Sequence, residues 1–214
     1  IINVESNGSI WTTKSIINDY GAIINNEGDF GSQGTITNKG TINNEGELEN
    51  VYGGTINNEG TINSDGNIIN KGNAIINNYQ SGTINNDGTL TNKEGTNSNG
   101  YQEGTINNDG TITNNNMLIN RGTLENNDFI FNEGTITNEG DLNNNDTINN
   151  NDIIINKNII TNDGTLDNHG TLNSSGTLDN SGTLNSYDII INKNIITNDG
   201  TIFNQGTLNN QGTI

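Results

Sequence analysis

Aliphatic and polar residues alternate along this chain in a six-residue phrase, Gly-Thr-Ile/Leu-x-Asn-x. From Gly104 to Gln211 the phrase repeats without a break. Its third place is Ile or Leu every time, and its fifth place is Asn except where Ser174 and Ser186 replace it. A disordered polymer has no reason to hold an aliphatic residue in phase over such a length. The pattern therefore predicts a folded repeat.

The period of six favours β-strands over helices. A helix requires apolar residues at a spacing of about 3.6, so a strict six drifts around its surface. In an extended segment, side chains alternate between two sides, which turns places three and five inward and places two and four outward. The segment Asn-x-Gly is typical of a corner, where Gly, Asn and Asp tolerate a positive φ. The sequence thus predicts an all-β fold, a single parallel β-solenoid.

The column of inward Asn residues has a structural interpretation. An inward amide costs free energy unless it is hydrogen-bonded. Asn side chains stacked in successive coils donate to one neighbour and accept from the other. We therefore expect an asparagine ladder along the core rather than a ligand site.

The length of one coil is not decided by the longest identical repeat. The segment DIIINKNIITNDGT occurs at 152–165 and at 188–201, an offset of six phrases that coils of two and of three phrases both divide. Bulky apolar residues at the outward fourth place favour the shorter coil. Each lies an even number of phrases from the next, which puts them all on one face of a two-phrase coil. We therefore expect two-sided 12-residue coils rather than three-sided 18-residue coils.

These bulky residues and their neighbours at the second place form an outward apolar stripe. An apolar patch on an otherwise polar rod often marks an interface. We therefore predict lateral contact with another chain, with Met117 in the same stripe. The predicted lateral interface comprises Ile119, Phe129, Phe131, Ile153, Ile155, Ile189, Ile191 and Phe203.

One continuous solenoid is expected over residues 1–214. Residues 1–103 carry short corner insertions, whereas residues 104–214 are uninterrupted phrases. Four of the five Tyr residues lie in the insertions, at Tyr20, Tyr52, Tyr79 and Tyr101. An exposed Tyr can stack on a sugar or anchor an interface, or it can fold over its own corner.

The two ends of a solenoid expose open sheet edges, which require a cap or a partner. The chain stops in mid-phrase at Ile214, so we expect end-to-end self-association in which a second subunit supplies the next coil. The predicted end-to-end interface comprises Ile1, Ile2, Val4, Leu208 and Ile214.

Composition and charge narrow the class of partner. The chain has 51 Asn among 214 residues, no Cys, and a net charge of −18. Such an acidic chain argues against nucleic acid as a partner, because nucleic-acid binding needs a basic surface. No apolar run approaches the ~20 residues that span a bilayer, so no membrane insertion is expected.

Candidate chemistry is sparse. The one histidine, His169, lies at a corner and has no sequence partner for a nucleophile or a metal site. We expect neither an enzyme nor a cofactor. Oxygen ligands for Ca²⁺ recur at acidic corners such as Glu45 and Asp65, although they lack the spacing of a calcium-binding repeat. Three N-x-[ST] sequons lie at Asn7, Asn145 and Asn173, and they are candidate glycosylation sites.

The run GTITNEG and its kin resemble the repeats of bacterial β-solenoid surface proteins, in the filamentous-haemagglutinin and autotransporter-passenger families. The resemblance covers nearly the whole chain, as a repeat style rather than a diagnostic motif. It implies an exported, extended rod, extracellular or at the cell surface, that adheres or assembles. The leading hypothesis is a structural rod that forms a fibre. The alternative is an adhesin that binds ice or glycans through outward Thr columns and corner Tyr residues.

Overall fold

The chain folds as a three-sided parallel β-solenoid of about eleven turns, as the strand pairing shows. In this computed structural model, residues 1–97 and 100–214 are described, without the side chains of residues 96–101. Each phrase forms a strand of about four residues, and three phrases complete one turn of about 18 residues. Every third strand therefore falls on the same sheet, and each sheet is one flat face of the rod.

The first face contains eleven parallel strands. Their bounds are Ile2–Val4, Ile23–Asn26, Thr41–Asn44, Thr61–Ser64, Thr83–Asn86, Thr111–Asn114, Phe129–Asn132, Thr147–Asn150, Thr165–Asn168, Thr183–Ser186 and Thr201–Asn204.

The second face also contains eleven parallel strands. Their bounds are Ser9–Thr12, Asp29–Ser32, Glu47–Val51, Asn67–Lys71, Thr89–Lys93, Met117–Asn120, Thr135–Asn138, Ile153–Asn156, Thr171–Ser174, Ile189–Asn192 and Thr207–Asn210.

The third face contains ten parallel strands. Their bounds are Ile16–Asn18, Thr35–Asn38, Thr55–Asn58, Ile75–Asn78, Thr105–Asn108, Thr123–Asn126, Asp141–Asn144, Ile159–Asn162, Thr177–Asn180 and Ile195–Asn198. A two-stranded antiparallel hairpin, Gly95–Asn97 with Gly100–Gln102, projects between the second and third faces.

The predicted two-phrase coil is wrong. In the regular part of the chain, Ile148 pairs with Leu166 and Leu166 with Leu184, so residues three phrases apart are stacked. The long repeat at an offset of six phrases therefore spans two turns, not three. A turn made of three phrases bends at three corners, which gives a triangular cross-section instead of a flattened one.

The core contains the residues that the phrase predicts. Places three and five are buried in nearly every turn, and the third places form one continuous apolar cluster that runs from Ile24 to Ile196. The Asn at the fifth place is also buried, from Asn18 to Asn192. This alternation confirms the predicted inward and outward places.

The asparagine ladder is confirmed. In the first face, Nδ2 of Asn114 donates to Oδ1 of Asn132 at 2.7 Å, and the same bond continues from Asn150 to Asn168 at 2.7 Å. Where Ser174 replaces Asn, its hydroxyl accepts from Nδ2 of Asn156 at 3.1 Å and donates to the carbonyl of Gly176 at 3.1 Å. The inward amide nitrogens are thereby satisfied within the stack.

The corner glycines have a different cause from the one expected. Among the described residues, positive φ is confined to the insertions, at Gly21, Tyr52, Gly53, Gly72 and Asn73. At the regular corners, successive coils approach so closely that a Cβ on Gly140 would overlap the carbonyl oxygen of Gly122. Close approach between coils, rather than backbone conformation, therefore favours glycine there.

The insertions leave the stacking intact. On the first face, Ile62 pairs with Ile84 although the insertion at 79–81 lies between them. Ile84 pairs in turn with Ile112, although the antiparallel hairpin lies between these two residues. The additional residues thus protrude at corners, as the sequence predicts, while the strands remain in register.

Candidate functional site

The outward second and fourth places are the surface that can carry function, because places three and five are used by the core. On the second face, three strands present apolar pairs: Met117 with Ile119, Ile153 with Ile155, and Ile189 with Ile191. The strands between them present polar pairs, Thr135 with Thr137 and Thr171 with Asn173. From Met117 onward, the second face therefore carries apolar bands on every second coil, about 9.6 Å apart.

The predicted apolar stripe is split between two faces. Ile119, Ile153, Ile155, Ile189 and Ile191 lie together on the second face. The three phenylalanines, Phe129, Phe131 and Phe203, lie on the first face. The expectation of one face is wrong, because a separation of two phrases is only two thirds of a three-phrase turn.

The phenylalanines pack on the first face and its edge. Phe129 and Phe131 lie side by side with ring centroids 6.2 Å apart. Phe203 meets the edge of Tyr187 at 6.4 Å, and Tyr187 stacks on His169 at 4.5 Å. His169 is exposed at a corner, as the sequence predicts.

Two exposed isoleucines were missed in the sequence. Ile159 and Ile195 occupy the second place on the third face, with 40% and 42% of their surface exposed. They extend the apolar bands around the corner that follows Ile153–Asn156 and Ile189–Asn192. The long duplicated segment contains them, but a search for bulky residues at the fourth place passes over them.

Lysine and arginine are concentrated on one edge of the prism. Six of the seven basic residues lie at the corner between the second and third faces, which we call the basic edge. Its residues are Lys14, Lys71, Lys93, Arg121, Lys157 and Lys193.

Acidic residues occupy the opposite border of the second face. We call this corner, between the first and second faces, the acidic edge. Its residues are Glu5, Glu27, Glu45, Asp65, Asp87, Glu133, Asp152 and Asp188. The seventh basic residue, Lys39, lies at the remaining corner. The second face therefore has one anionic border and one cationic border.

Glu139 interrupts the basic edge and is held by its two neighbours. Its carboxylate accepts from Arg121 Nε at 2.6 Å and from Lys157 Nζ at 2.8 Å. Hydrogen bonds from Lys157 and Arg121 lower the pKa of the Glu139 carboxyl below its ordinary value. The edge thus remains cationic here, because two cations flank this single acid.

A different pair of carboxylates repels on the second face. Glu47 and Glu49 project from the same strand. Partial burial, followed by the hydrogen bond and the charge of Glu47, raises the pKa of the Glu49 carboxyl. The neighbouring cations Lys71 and Lys93 oppose this rise but do not cancel it.

A groove beside the third face contains the best-formed Tyr corner. The groove has a volume of about 540 Å³ and is lined by Lys39, Glu59 and Tyr79, among others. Tyr79 donates its hydroxyl to Oδ1 of Asn57 at 3.1 Å. Lys39 lies 3.7 Å from Glu59 and 5.6 Å from the ring centroid of Tyr20. The side chain of Tyr101, another predicted corner Tyr, lies outside the described residues.

An outward asparagine ladder borders the acidic edge near the start of the chain. Asn25 donates to Asn3 at 3.0 Å, Asn43 to Asn25 at 2.9 Å, and Asn63 to Asn43 at 3.1 Å. Between this ladder and the acidic edge lies a groove of about 490 Å³. Over the described residues, no group of three or more His, Cys, Asp or Glu side chains is arranged to hold a metal ion.

The predicted end residues differ in exposure. Ile1 and Ile214 are 86% and 57% exposed, and Ile2 and Leu208 are 43% and 37% exposed. Val4 is only 4% exposed, because it takes the inward place that Asn26 occupies one coil later.

Two of the three predicted glycosylation sequons lie at corners, and the third lies on a face of the rod. Asn7 and Asn145 are exposed at corners, and Asn145 donates to Oδ1 of Asn127 at 2.7 Å. Asn173 lies on the second face between Ile155 and Ile191. Across the part of the chain that the structure describes, no helix is both long and apolar enough to traverse a bilayer.

The repeat matches a known family. Residues 7–50, 28–94 and 101–146 match the haemagglutinin repeat, and together these segments cover more than half of the chain. Comparison with curated proteins and with solved structures returned no match. Haemagglutinin repeats occur in secreted or cell-surface proteins with adhesin-like or structural roles, and their β-solenoids are typically not enzymes. The repeated phrase, the parallel solenoid and these matches together show that the chain belongs to the haemagglutinin-repeat family.

Proposed function

We propose that the chain is a structural, non-catalytic rod, outside the cell or at its surface, that assembles end to end into a fibre. One observation carries the proposal: the inward places of almost every phrase are devoted to an unbroken core of stacked Ile, Leu and Asn. Such a core specifies a straight, stiff shape and leaves long, regular outer faces for contact.

The ends of the rod favour joining in one direction. In the inward ladders, Nδ2 of the earlier residue donates to Oδ1 of the later one, as from Asn192 to Asn210 at 2.8 Å. At the first coil, the strands Ile2–Val4, Ser9–Thr12 and Ile16–Asn18 each have a neighbouring strand in their sheet on one side only. At the other end, the strand Thr207–Asn210 leaves one row of backbone groups unpaired. Head-to-tail docking matches donors at one end with acceptors at the other.

Electron microscopy of the purified chain tests end-to-end assembly. Eleven coils at ~4.8 Å give a rod of about 50 Å, so the proposal expects particles whose lengths are multiples of this value. Leu208→Lys places a charge on the exposed end and should shorten the particles. Phe131→Lys introduces the same charge in the middle of the first face and should not. A population of single rods at every concentration contradicts the proposal.

A second candidate function is glycan binding in the Tyr79 groove. The groove combines an exposed aromatic ring with Lys39, Glu59 and Asn57, and such mixed polar and aromatic surfaces suit sugar hydroxyls and ring faces. Tyr79→Ala should abolish binding on a glycan array, while Tyr187→Ala, a corner Tyr on another edge, should retain it. An array on which the unaltered chain binds nothing contradicts this candidate.

Ice binding has weaker support than glycan binding. The first face does carry a Thr column at the second place, from Thr41 to Thr201, with Phe129 interrupting it. The parallel column at the fourth place is mostly Asn, with Phe131 and Phe203 in it. A regular lattice match needs both columns, so we expect no thermal hysteresis.

A further inference from the structure

The strand Ile153–Asn156 and its corners form a self-complementary unit. Asp152 lies on the acidic edge at its start, Ile153 and Ile155 project from its middle, and Lys157 lies on the basic edge at its end. The same unit, Asp188 to Lys193, recurs two coils later. Asp152 and Lys157 are about 16 Å apart along the strand, so they cannot neutralise each other within one chain.

Each of these charges is available to a partner. Asp152, Asp188 and Lys193 are exposed and form no ion pair among the described residues. Lys157 contacts Glu139, but its side chain remains 52% exposed. Asp152, Asp188 and Lys193 therefore border the apolar bands unpaired among the described residues, whereas Lys157 would be shared between Glu139 of its own chain and Asp152 of the second copy.

The opposite charges of the acidic edge and the basic edge favour one way of packing the second faces of two copies against each other. If two rods run in the same direction, a two-fold axis parallel to the rods puts the acidic edge of each copy against the basic edge of the other. If the rods run in opposite directions, like edges meet, and Asp152 faces Asp152 or Asp188 of the other copy. In the parallel arrangement Glu133 also lies opposite Glu139, but Arg121 and Lys157 offset the charge of Glu139. The contacts between like edges therefore disfavour the antiparallel arrangement.

The apolar bands also match in the parallel arrangement. A two-fold axis parallel to the rods keeps each coil at the level of its equivalent, so Ile153 of one copy lies opposite Ile155 of the other. The same holds for Ile189 with Ile191 and for Met117 with Ile119. Apolar residues thus meet apolar residues on alternate coils, and the polar pairs between them meet polar pairs.

We infer that the second face is the interface of a parallel, two-fold symmetric homodimer, in which Asp152 pairs with Lys157 of the second copy and Asp188 with Lys193. Six coils from Met117 to Asn209 cover about 29 Å by about 20 Å. Two such faces bury about 1,200 Å², which is at the lower end of specific interfaces. This lateral contact is independent of end-to-end joining.

A charge exchange tests the pairing directly. All variants carry Leu208→Lys, so that failure of lateral contact is not confused with failure of end-to-end assembly. Asp152→Lys with Asp188→Lys makes both borders of the two Ile coils basic, and Lys157→Asp with Lys193→Asp makes both borders of these coils acidic. In sedimentation velocity, each alone should dimerise at least about tenfold more weakly than the parent, and an equimolar mixture should dimerise again.

A matched control keeps the charge exchange interpretable. Asp163→Lys with Asp199→Lys makes the same change of charge at the corner between the third and first faces and should leave the dimer intact. Circular dichroism melting confirms that each variant is folded. A mixture that associates no better than its separate components, or a control that dissociates like the border variants, overturns the inference.

Cross-linking tests the direction of the two rods. The chain has no native Cys, so Met117→Cys introduces a unique thiol. With a short bis-maleimide, parallel copies should join Met117→Cys to itself, because equivalent coils lie at one level. The Met117→Cys variant is also mixed with an Ile189→Cys variant or with an Ile153→Cys variant. Antiparallel copies with matched bands would join Met117→Cys to Ile189→Cys, and parallel copies displaced by two coils would join Met117→Cys to Ile153→Cys. Either of the latter products as the main one overturns the inference.

Discussion

Asn132 and Asn150 lie one above the other in the core, and Nδ2 of Asn132 donates to Oδ1 of Asn150 at 2.7 Å. The same nitrogen lies 2.7 Å from the carbonyl oxygen of Gly134 at its own corner and 3.1 Å from that of Ile153 in the next coil. One amide therefore joins a strand, a corner and the following coil. Asn at the fifth place is the means by which each turn holds the next.

Removal of one rung should be costly. Asn132→Ala removes the ladder bond from Asn114, whose Nδ2 keeps the carbonyl of Thr135, and it leaves Oδ1 of Asn150 without its ladder donor, a loss of about 1–3 kcal/mol for an unsatisfied buried group. We expect the free energy of unfolding in urea to fall by about 2–4 kcal/mol. Asn132→Ser is the control, because Ser174 and Ser186 occupy equivalent places, and it should lose less than half as much. Equal losses for Ala and Ser would contradict the role of the ladder.

Truncation of one aliphatic residue in the core stack should also destabilise the fold. Ile148 is fully buried between Ile130 and Leu166. Ile148→Ala opens a cavity and should cost about 2–5 kcal/mol, whereas Ile148→Val should cost about 1 kcal/mol. Calorimetry of the two variants measures the difference. Thr147→Ala, an outward change on the same strand, is a control that should remain close to the parent.

The repelling pair on the second face predicts a stabilising change. Because burial and the neighbouring Glu47 raise the pKa of Glu49 in the folded chain, its charged form destabilises the fold at neutral pH; this penalty starts to fall as the pH drops through the raised pKa and is gone below the ordinary pKa of a glutamate. Glu49→Gln should therefore raise Tm at pH 7 and have no effect well below the pKa of the group. Glu59→Gln, which loses a contact to Lys39 instead, should not raise Tm. A Glu49→Gln variant with an unchanged or lower Tm at pH 7 would be inconsistent with a penalty from burying this charge beside Glu47.

The ion cluster at Glu139 predicts the opposite dependence on pH. Its lowered pKa means that the stabilisation is present above the ordinary pKa of a glutamate and is lost as the pH falls through the folded value. Glu139→Gln should lower Tm slightly at pH 7 and converge with the parent in acid. The effect should shrink in high salt, because Glu139, Arg121 and Lys157 are all partly exposed. A loss of Tm that persists in acid would point to packing rather than to charge.

The strand, its inward Ile and Asn, and the ladder could be predicted because each depends on one phrase alone. The number of phrases in a turn depends on how sharply each corner bends, and that angle is set by contacts between coils. Bonds such as those from Asn132 to the carbonyls of Gly134 and Ile153 bridge a corner and two coils. No single phrase contains them, so a coil of two phrases was as consistent with the long duplication as a coil of three.

The grouping of the candidate site residues also depends on the number of phrases in one turn. Arg121, Lys157 and Lys193 follow one another at intervals of six phrases, but they form an edge only once every third phrase is known to share a corner. For the same reason the sequence did not show that Phe131 and Ile155 lie on different faces. The apolar residues themselves were predicted, whereas their assignment to faces required the turn.

The three-phrase turn also restricts how such a chain can lengthen. Gain or loss of a single phrase would rotate everything beyond it by one side of the prism, so that a patch built up over many coils would be broken at that point. Only changes of whole turns conserve every surface. The copied segment at 152–165 and 188–201 is displaced by two whole turns, and Asp188 to Lys193 accordingly lies directly in line with Asp152 to Lys157. A surface such as the apolar bands of the second face can thus be extended without a break only in steps of three phrases.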